Sequence, residues 1–283
     1  MTLAAYLDLW MDTYEKPSRA ANTVKAYQYA FAHIPEALMA AELEALDPLT
    51  LQMAINQVSA EAPRQAQLMY VGLRAALNRA VKLRMLQQSP MELVEKPEHE
   101  KAEICYLLPD EARRYYAACE QIEHGWVLQL MLCMGLRRNE LRGLRGMDIE
   151  GNTLHVRYQR IGDTLAPLKS KASRRDLPIP EGLRLDFDGE MDDYLFPRSE
   201  NALRRLHMRA LKAAGITKRV TLHGLRHTCA TTAIYAGCQM LTVQHLLGHA
   251  HFAVTSDTYC HVGRAEISTA TNCIVKSYKR YAS

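Results

Sequence analysis

Apolar residues recur at the spacing of an α-helix over most of the chain, and they change to the alternation of a β-strand in one short region. A helix over residues 64–86 is typical of the first pattern, and its expected inward face is Leu68, Val71, Ala75, Leu77 and Val81. Residues 152–158 and 175–179 show the second pattern. The two patterns together predict a mainly α-helical (α+β) fold that includes a small antiparallel β-sheet.

A charged segment without periodicity divides the chain. Pro90 ends the long helix, and residues 92–103 have the composition of a linker. We place the domain boundary near residue 100, with an all-helical domain over residues 1–100 and a mainly helical domain with the sheet over residues 101–283. A chain of 283 residues is long enough for each domain to bury its own core.

The composition is that of a soluble globular protein, with 48% hydrophobic and 23% charged residues. No apolar run is long enough to span a bilayer, and the first residues are not expected to act as a leader, since they lack its basic-then-apolar pattern. We therefore expect a cytoplasmic protein without a membrane partner. The seven scattered cysteines form no Cys-x-x-Cys pair and are expected to be reduced.

The net charge of +4 is mildly basic, but the basic residues are clustered. Such clusters suit a phosphate backbone, whose contacts dominate the affinity of proteins for DNA. Any one cluster would also be explained as a solvated helix face. The clusters are Arg137, Arg138, Arg142 and Arg145; Lys169, Lys171, Arg174 and Arg175; and Arg204, Arg205, Arg209, Lys212, Lys218 and Arg219.

The segment from residue 221 to residue 261 contains the groups needed for chemistry on a phosphate. His223 and Arg226 stand three residues apart at a helix start, so that both are expected to reach one anion. Gly248 is expected to end the following helix, directly before His249, and Tyr259 comes further along. An unperturbed tyrosine has a pKa of about 10 and needs nearby positive charge to attack at neutral pH. Guanidinium groups supply that charge because their geometry matches phosphate oxygens.

This set of residues resembles the tyrosine recombinase (phage integrase) family. The resemblance is specific in the C-terminal half and loose in the N-terminal half, where it rests on Thr23-x-x-x-Tyr27. The matching motifs, in order, are Gly135-Leu136-Arg137-x-x-Glu140-Leu141, Lys169-x-x-x-Ser173-x-Arg175-x-x-Pro178, His223-x-x-Arg226, Leu246-Leu247-Gly248-His249 and Tyr259.

The resemblance implies a role for each catalytic residue. Arg137 and Arg226 would clamp the scissile phosphate, and Tyr259 would attack it to form a 3′-phosphotyrosyl intermediate. His223 would act in proton transfer and His249 would hydrogen-bond the phosphate. The general acid for the departing 5′ oxygen would be Lys169, with Lys171 as the second choice. No cofactor, metal ion or ATP is implied.

The resemblance also implies partners. The two domains would close around double-stranded DNA, and a homotetramer would act on two recombination sites. Integration or excision of a phage or mobile element is the expected role, and an accessory directionality factor is a possible partner. Resolution of chromosome or plasmid dimers and DNA inversion use the same chemistry and stay open as alternative roles. A nucleoid-associated protein is then expected. Further DNA contacts are expected from Lys171, Arg138, Arg142, Arg174, Arg175 and His227.

Three features qualify the resemblance. Met134 stands where the family often has threonine, and residues 145–148 replace a tryptophan-containing stretch, although neither change removes a chemical group. The resemblance implies that residues 1–100 are the family's helical core-binding domain, and the chain is expected to begin there, without an arm-binding module. A further hypothesis is that the tail, residues 264–283, docks on a neighbouring protomer.

Two alternatives stay open at this point. The spacing of His223 and His227, and of His245 and His249, with cysteines nearby, would also fit a zinc site, although His-Glu-x-x-His and Cys-x-x-Cys are absent. The other alternative is a DNA-binding regulator that keeps the fold without the chemistry. The complete set of catalytic groups argues against it.

Overall fold

A computed structural model describes residues 1–98, 104–168 and 170–248 of the chain. Its contacts divide the chain into two compact units, Met1–Ala102 and Glu103–Ser283. Both units are mainly helical where they are described, and antiparallel strands occur in the second. The predicted fold class is therefore confirmed.

The first unit is built of helices with recognisable start signals. The Asp47 side chain accepts a hydrogen bond from the Thr50 backbone N–H at 2.9 Å, and Pro48 occupies the first helical position of α5. A π-helical turn, Met11–Glu15, follows α1. The helices are α1 Leu3–Trp10, α2 Lys16–Ser18, α3 Ala21–Phe31, α4 Glu36–Met39, α5 Pro48–Glu61 and α6 Pro63–Lys82.

The core of this unit forms where α6 packs against α3 and α5. Gly72 permits the close approach, since a Cβ atom there would lie 2.7 Å from the Phe31 ring. The predicted inward face of α6 is confirmed at Leu77, which is fully buried, but was wrong at Val71, which is 41% exposed, and at Ala75, which is also exposed. The helix has two overlapping apolar stripes, and its neighbours bury the one with Met69, Leu73, Ala76, Leu77 and Ala80.

The second unit begins with three helices and ends, in its described part, with three more. The side chains of Ser199 and Thr221 cap the starts of α10 and α11, and Gly135 and Gly248 end α8 and α12. Pro109 opens the first of them, as the sequence predicts. The helices are α7 Pro109–Glu120, α8 Trp126–Met134, α9 Arg138–Gly143, α10 Glu200–Ala213, α11 Leu222–Tyr235 and α12 Met240–Leu247.

The predicted strands lie between α9 and α10. Within the described residues, β1 (Ile149–Glu150), β2 (Thr153–Val156) and β5 (Arg175–Pro178) form an antiparallel sheet in the order β1-β2-β5. Leu154 pairs with Leu177, so both point into the core. A separate hairpin, β3 (Tyr158–Ile161) and β4 (Thr164–Pro167), was not predicted and closes with the two-residue turn Gly162–Asp163.

The core of the second unit collects side chains from the sheet and from the surrounding helices. Met131, Leu141 and Leu203 are fully buried in it, together with Leu154 of the sheet. None of the helices that the structure describes combines the length and the apolar composition needed to cross a bilayer.

Candidate active site

A cavity of about 1040 Å³ opens in the second unit, between α9, α10 and the start of α11. Its walls are rich in arginine and also include the residues on either side of position 169. The lining residues are Arg137, Arg138, Asn139, Glu140, Gln159, Leu168, Ser170, Ser173, Arg204, His207, Met208, Arg219, Val220, Thr221, Leu222, His223 and Gly248.

Gly135 sets the direction in which the chain enters the cavity. It ends α8 in the left-handed region, with φ at 61°. A Cβ atom at Gly135 would lie 2.5 Å from Leu247 Cδ2, so a larger residue would also push against α12. Arg137 follows two residues later as the N-cap of α9, which explains the fixed glycine–arginine spacing in the sequence.

Glu140 fixes both the backbone and the side chain of Arg137. Its Oε2 accepts the Arg137 backbone N–H at 2.9 Å, and its Oε1 lies 2.6 Å from Arg137 Nη1. Arg175 Nη2 lies 3.0 Å from the same carboxylate, which is 1% exposed. Burial alone would raise the pKa of Glu140, but Arg175 and Arg137 outweigh it and lower that pKa. A charged Glu140 therefore aligns Arg137, which lies at the cavity wall.

His223 lies on the first turn of α11, where Thr221 Oγ1 caps the helix by accepting from the Gly224 N–H at 3.1 Å. Desolvation by the surrounding protein, then the charges of Arg226 and Arg137, lower the pKa of His223. At neutral pH the imidazole is therefore uncharged and able to accept a proton.

Arg226 lies deeper than the sequence predicts. It is 1% exposed, and it donates from Nη1 to the Gly135 carbonyl at 2.6 Å and from Nη2 to the Leu247 carbonyl at 2.5 Å. The expectation that His223 and Arg226 both reach one anion therefore stays a prediction. Arg226 ties α11 to the ends of α8 and α12, with its charge close to His223.

Burial argues against the DNA contacts expected of three residues. Arg142 and His227 are 2% and 7% exposed, and Arg175 is 8% exposed. Arg175 donates to the Leu246 and Ser173 carbonyls at 2.8 and 3.0 Å as well as to Glu140. These side chains are packed inside the protein and are not placed to contact a duplex at its surface.

The other predicted DNA contacts lie at the surface. Lys171 and Arg174 are exposed beside β5. Arg138 lines the cavity and forms a 2.6 Å ion pair with Glu200. These three side chains are accessible to a phosphate backbone, and their contact with DNA stays a prediction.

Three predicted catalytic residues, Lys169, His249 and Tyr259, lie outside the described residues. Their described neighbours do line the cavity: Leu168 and Ser170 flank position 169, and Gly248 precedes position 249. Gly248 ends α12 with φ at 65°, as the sequence predicts, and its carbonyl accepts from Arg137 Nη2 at 3.3 Å.

Sequence reasoning missed part of the cavity wall. Arg204 and Arg219 belong to a predicted basic cluster but were not assigned to the site, and Met208 lies beside them. His207 was missed entirely, since it belongs to no motif and sits on the buried face of α10.

The described residues also bear on the zinc alternative. Within residues 1–98, 104–168 and 170–248, no group of three or more histidine, cysteine or acidic side chains is arranged to hold a metal ion. His249, one member of that pattern, lies outside those residues. His223 and His227 instead contact each other edge to face, with ring centroids 4.7 Å apart.

Comparison with known proteins assigns the fold and the family. Residues 106–266 match the phage integrase family. The tyrosine recombinase XerC of Pelobacter propionicus is 28% identical over 260 residues, 85% of each chain. The integrase of transposon Tn1549, solved with a circular intermediate DNA, shares the fold with a TM-score of 0.77 at 16% identity, over 97% of this chain and 99% of that one. A lambda integrase tetramer bound to a Holliday junction has a TM-score of 0.72 at 20% identity, over 94% of this chain and 81% of that one.

The family match spans more than half of the chain and agrees with the arginine-rich cavity: this protein belongs to the phage integrase family of tyrosine recombinases.

Proposed function

We propose that this protein is a site-specific DNA recombinase that integrates or excises a mobile element. The observation that carries the proposal is the meeting of Arg137 and His223, 86 positions apart in sequence (223 − 137), in one arginine-lined cavity. Membership of the family supports DNA cleavage and rejoining as the activity.

In the proposed reaction the scissile phosphate occupies the cavity. Arg137, aligned by Glu140, binds its non-bridging oxygens, and Arg226 and His249 add positive charge and a hydrogen bond. The Tyr259 oxygen forms a bond to phosphorus while its proton passes to His223, which is neutral at pH 7. The bond from phosphorus to the 5′ oxygen breaks, and Lys169 gives that oxygen a proton. Reversal of these steps rejoins the strand, so neither a metal ion nor ATP is required.

The direct contact between Arg226 and the phosphate rests on the resemblance. In the structure two of its donors bind carbonyl groups, and its charge lies close enough to His223 to lower the pKa of that residue. An Arg226→Lys variant keeps the charge but loses the paired geometry. If that geometry matters, cleavage falls by on the order of a hundredfold while DNA binding persists.

The test of the proposal is covalent trapping. The protein is incubated with nicked suicide duplexes from DNA flanking its own gene, and SDS-resistant adducts are compared between wild type and Tyr259→Phe. Tyr235→Phe, at a tyrosine that is 59% exposed, is the matched control. An adduct lost only in Tyr259→Phe supports the proposal. DNA binding without any adduct favours the non-catalytic regulator instead.

The choice of general acid has its own test. A substrate with sulfur in place of the 5′ bridging oxygen has a leaving group that needs no protonation. Cleavage of this substrate should be normal in Lys169→Ala, whereas cleavage of the oxygen substrate should fail. The same pattern in Lys171→Ala alone would identify Lys171 as the acid.

We further propose double-stranded DNA as the partner and a homotetramer on two sites as the active assembly, as the lambda integrase tetramer suggests by likeness of fold. A deletion of residues 264–283 should leave binding intact and impair synapsis if the tail docks on a neighbouring protomer. We place the protein with the DNA in the cytoplasm. Dimer resolution is the second candidate role, favoured by the likeness to XerC. Recombination assayed with the gene's flanking DNA and with chromosomal dimer sites distinguishes the two roles.

A further inference from the structure

The β3–β4 hairpin packs unusually closely on α9, the short helix that begins after Arg137. A Cβ atom at Gly143 would lie 2.8 Å from Gln159 Cα and 2.9 Å from its carbonyl carbon. The helix backbone therefore rests directly on the strand backbone. The hairpin contributes Gln159 to the cavity wall, and Leu168, just past β4, also lines the cavity.

Arg142 makes the second contact between α9 and the hairpin. Its Nη2 donates to the carbonyl of Gly162, in the hairpin turn, at 2.9 Å. Its Nε and Nη1 are buried without a hydrogen-bond partner among the residues that the structure describes. Burial first, and then the neighbouring Arg160, lower the pKa of Arg142.

This arrangement is costly for the fold. A buried guanidinium loses its hydration, and a single carbonyl acceptor returns only part of that free energy. The charge of Arg160, whose own Nη2 bonds Asp163 at 2.9 Å, lies near Arg142 and adds to the cost, while the carboxylates of Glu200 and Asp163 offset part of it. A methionine or leucine at position 142 would fill similar space without the charge.

We infer that Arg142 is a positioning residue for DNA cleavage. Its bond to Gly162, here called the latch, holds the hairpin against α9 and so fixes Gln159 and Leu168 relative to Arg137. The inference rests on the proposed function. Lys169, the proposed general acid, follows Leu168 in the sequence. Arg137 is the N-cap of the helix that carries Arg142, so the position of Leu168 is tied to that of the arginine proposed to bind the phosphate.

The test substitutes Arg142→Met and measures thermal stability, DNA binding and single-turnover cleavage on the suicide duplex. The inference predicts an unchanged or higher Tm, binding within about threefold of wild type, and cleavage reduced by on the order of a hundredfold, as a misplacement of about 1 Å can produce. Arg113→Met, at an arginine whose side chain is 80% exposed, is the matched control.

A second variant alters the same contact between α9 and the hairpin and leaves the charge of Arg142 in place. Gly143→Ala should push the hairpin away from α9 and reproduce the cleavage defect. If Arg142→Met fails to fold, Gly143→Ala tests the positioning role by itself.

The sulfur-bridged substrate separates a positioning role from a structural one. If the latch positions the acid, both variants should cleave that substrate within about threefold of wild type. A parallel loss of Tm and of cleavage on both substrates, or normal cleavage of the oxygen substrate, would overturn the inference. Absence of an adduct in wild type on either substrate would overturn the proposed function, and this inference with it.

Discussion

The carboxylate of Glu140 lies 3.0 Å from the guanidinium of Arg175, and both side chains are buried. The same carboxylate bonds Arg137, so one anion aligns an arginine of the cavity wall and an arginine of the sheet. Because Arg175 begins β5, this pair joins the sheet to the start of α9 beneath the cavity.

Glu140→Gln should destabilise the second unit strongly. The substitution leaves Arg175 buried without a countercharge, and removal of one partner of such a pair costs about 3–5 kcal/mol. Urea denaturation measures the change in the free energy of unfolding. Glu150→Gln, at a side chain that is 86% exposed, should cost less than about 1 kcal/mol. Equal effects of the two substitutions would show that the buried pair contributes no more than a surface one.

Gly135→Ala should cost more than its backbone conformation alone explains. Gly135 and Gly151 have similar φ angles, 61° and 57°, so an alanine at either position meets the same penalty of about 1–2 kcal/mol. At Gly135 the new Cβ would also lie 2.5 Å from Leu247, whereas nothing lies within 4 Å at Gly151. The difference between the two variants in free energy of unfolding therefore measures the contact with α12. Identical losses would contradict that contact.

Stability should fall as the pH drops below 6.5, in part because of His227. Burial first, then His223 and Arg226, lower its pKa from 6.5 to about 4. The unfolded chain therefore binds a proton at a higher pH than the native protein does. His227 therefore leaves the free energy of unfolding unchanged above pH 6.5. Between pH 6.5 and about pH 4 it lowers that free energy progressively, by up to about 3 kcal/mol.

The contribution of His227 to this pH dependence is tested by urea denaturation of wild type and of His227→Gln at about pH 7 and about pH 4.5. The variant should lose less stability between the two pH values. Part of the dependence should persist, since His207 and His223 also have lowered pKa values. A variant with an unchanged pH dependence would show that His227 titrates normally.

Tyr115 and His207 should be energetically coupled. The Tyr115 hydroxyl donates to His207 Nδ1 at 2.7 Å, and His207 Nε2–H donates to the Val220 carbonyl at 2.9 Å, which links α7 and α10 to the entry of α11. Tyr115→Phe leaves the buried Nδ1 without its donor and should cost about 1–3 kcal/mol.

A double-mutant cycle with His207→Gln should give a coupling of roughly 1 kcal/mol. Tyr116→Phe, at the neighbouring half-buried tyrosine, is the control and should show no coupling to His207. Additive losses for Tyr115 and His207 would exclude the hydrogen bond.

Local signals in the sequence were enough for the elements that frame the site. Gly135 and Gly248 end helices because both adopt the left-handed conformation that glycine favours, and this can be read from neighbouring apolar residues. The alternation around Leu154 and Leu177 likewise predicts paired strands. The family resemblance came from the same local motifs, and the family match confirms it.

The burial of arginines could not be predicted from local signals in the sequence. Arg142, Arg175 and Arg226 all look like surface cations in the sequence, since arginine is rarely buried unless it is paired. Their acceptors are a distant carboxylate and backbone carbonyls of other elements. Which acceptors come within reach depends on how helices and strands pack, and no local pattern encodes that.

The bond from Arg142 to Gly162 also limits how this protein can be modified. Surface hairpins usually accept insertions, but here an added residue would move the turn carbonyl out of register with the arginine. The length of this hairpin is therefore under constraint even though its turn is small. A fluorescent label or affinity tag belongs instead at Gly182, a turn glycine with open space around it.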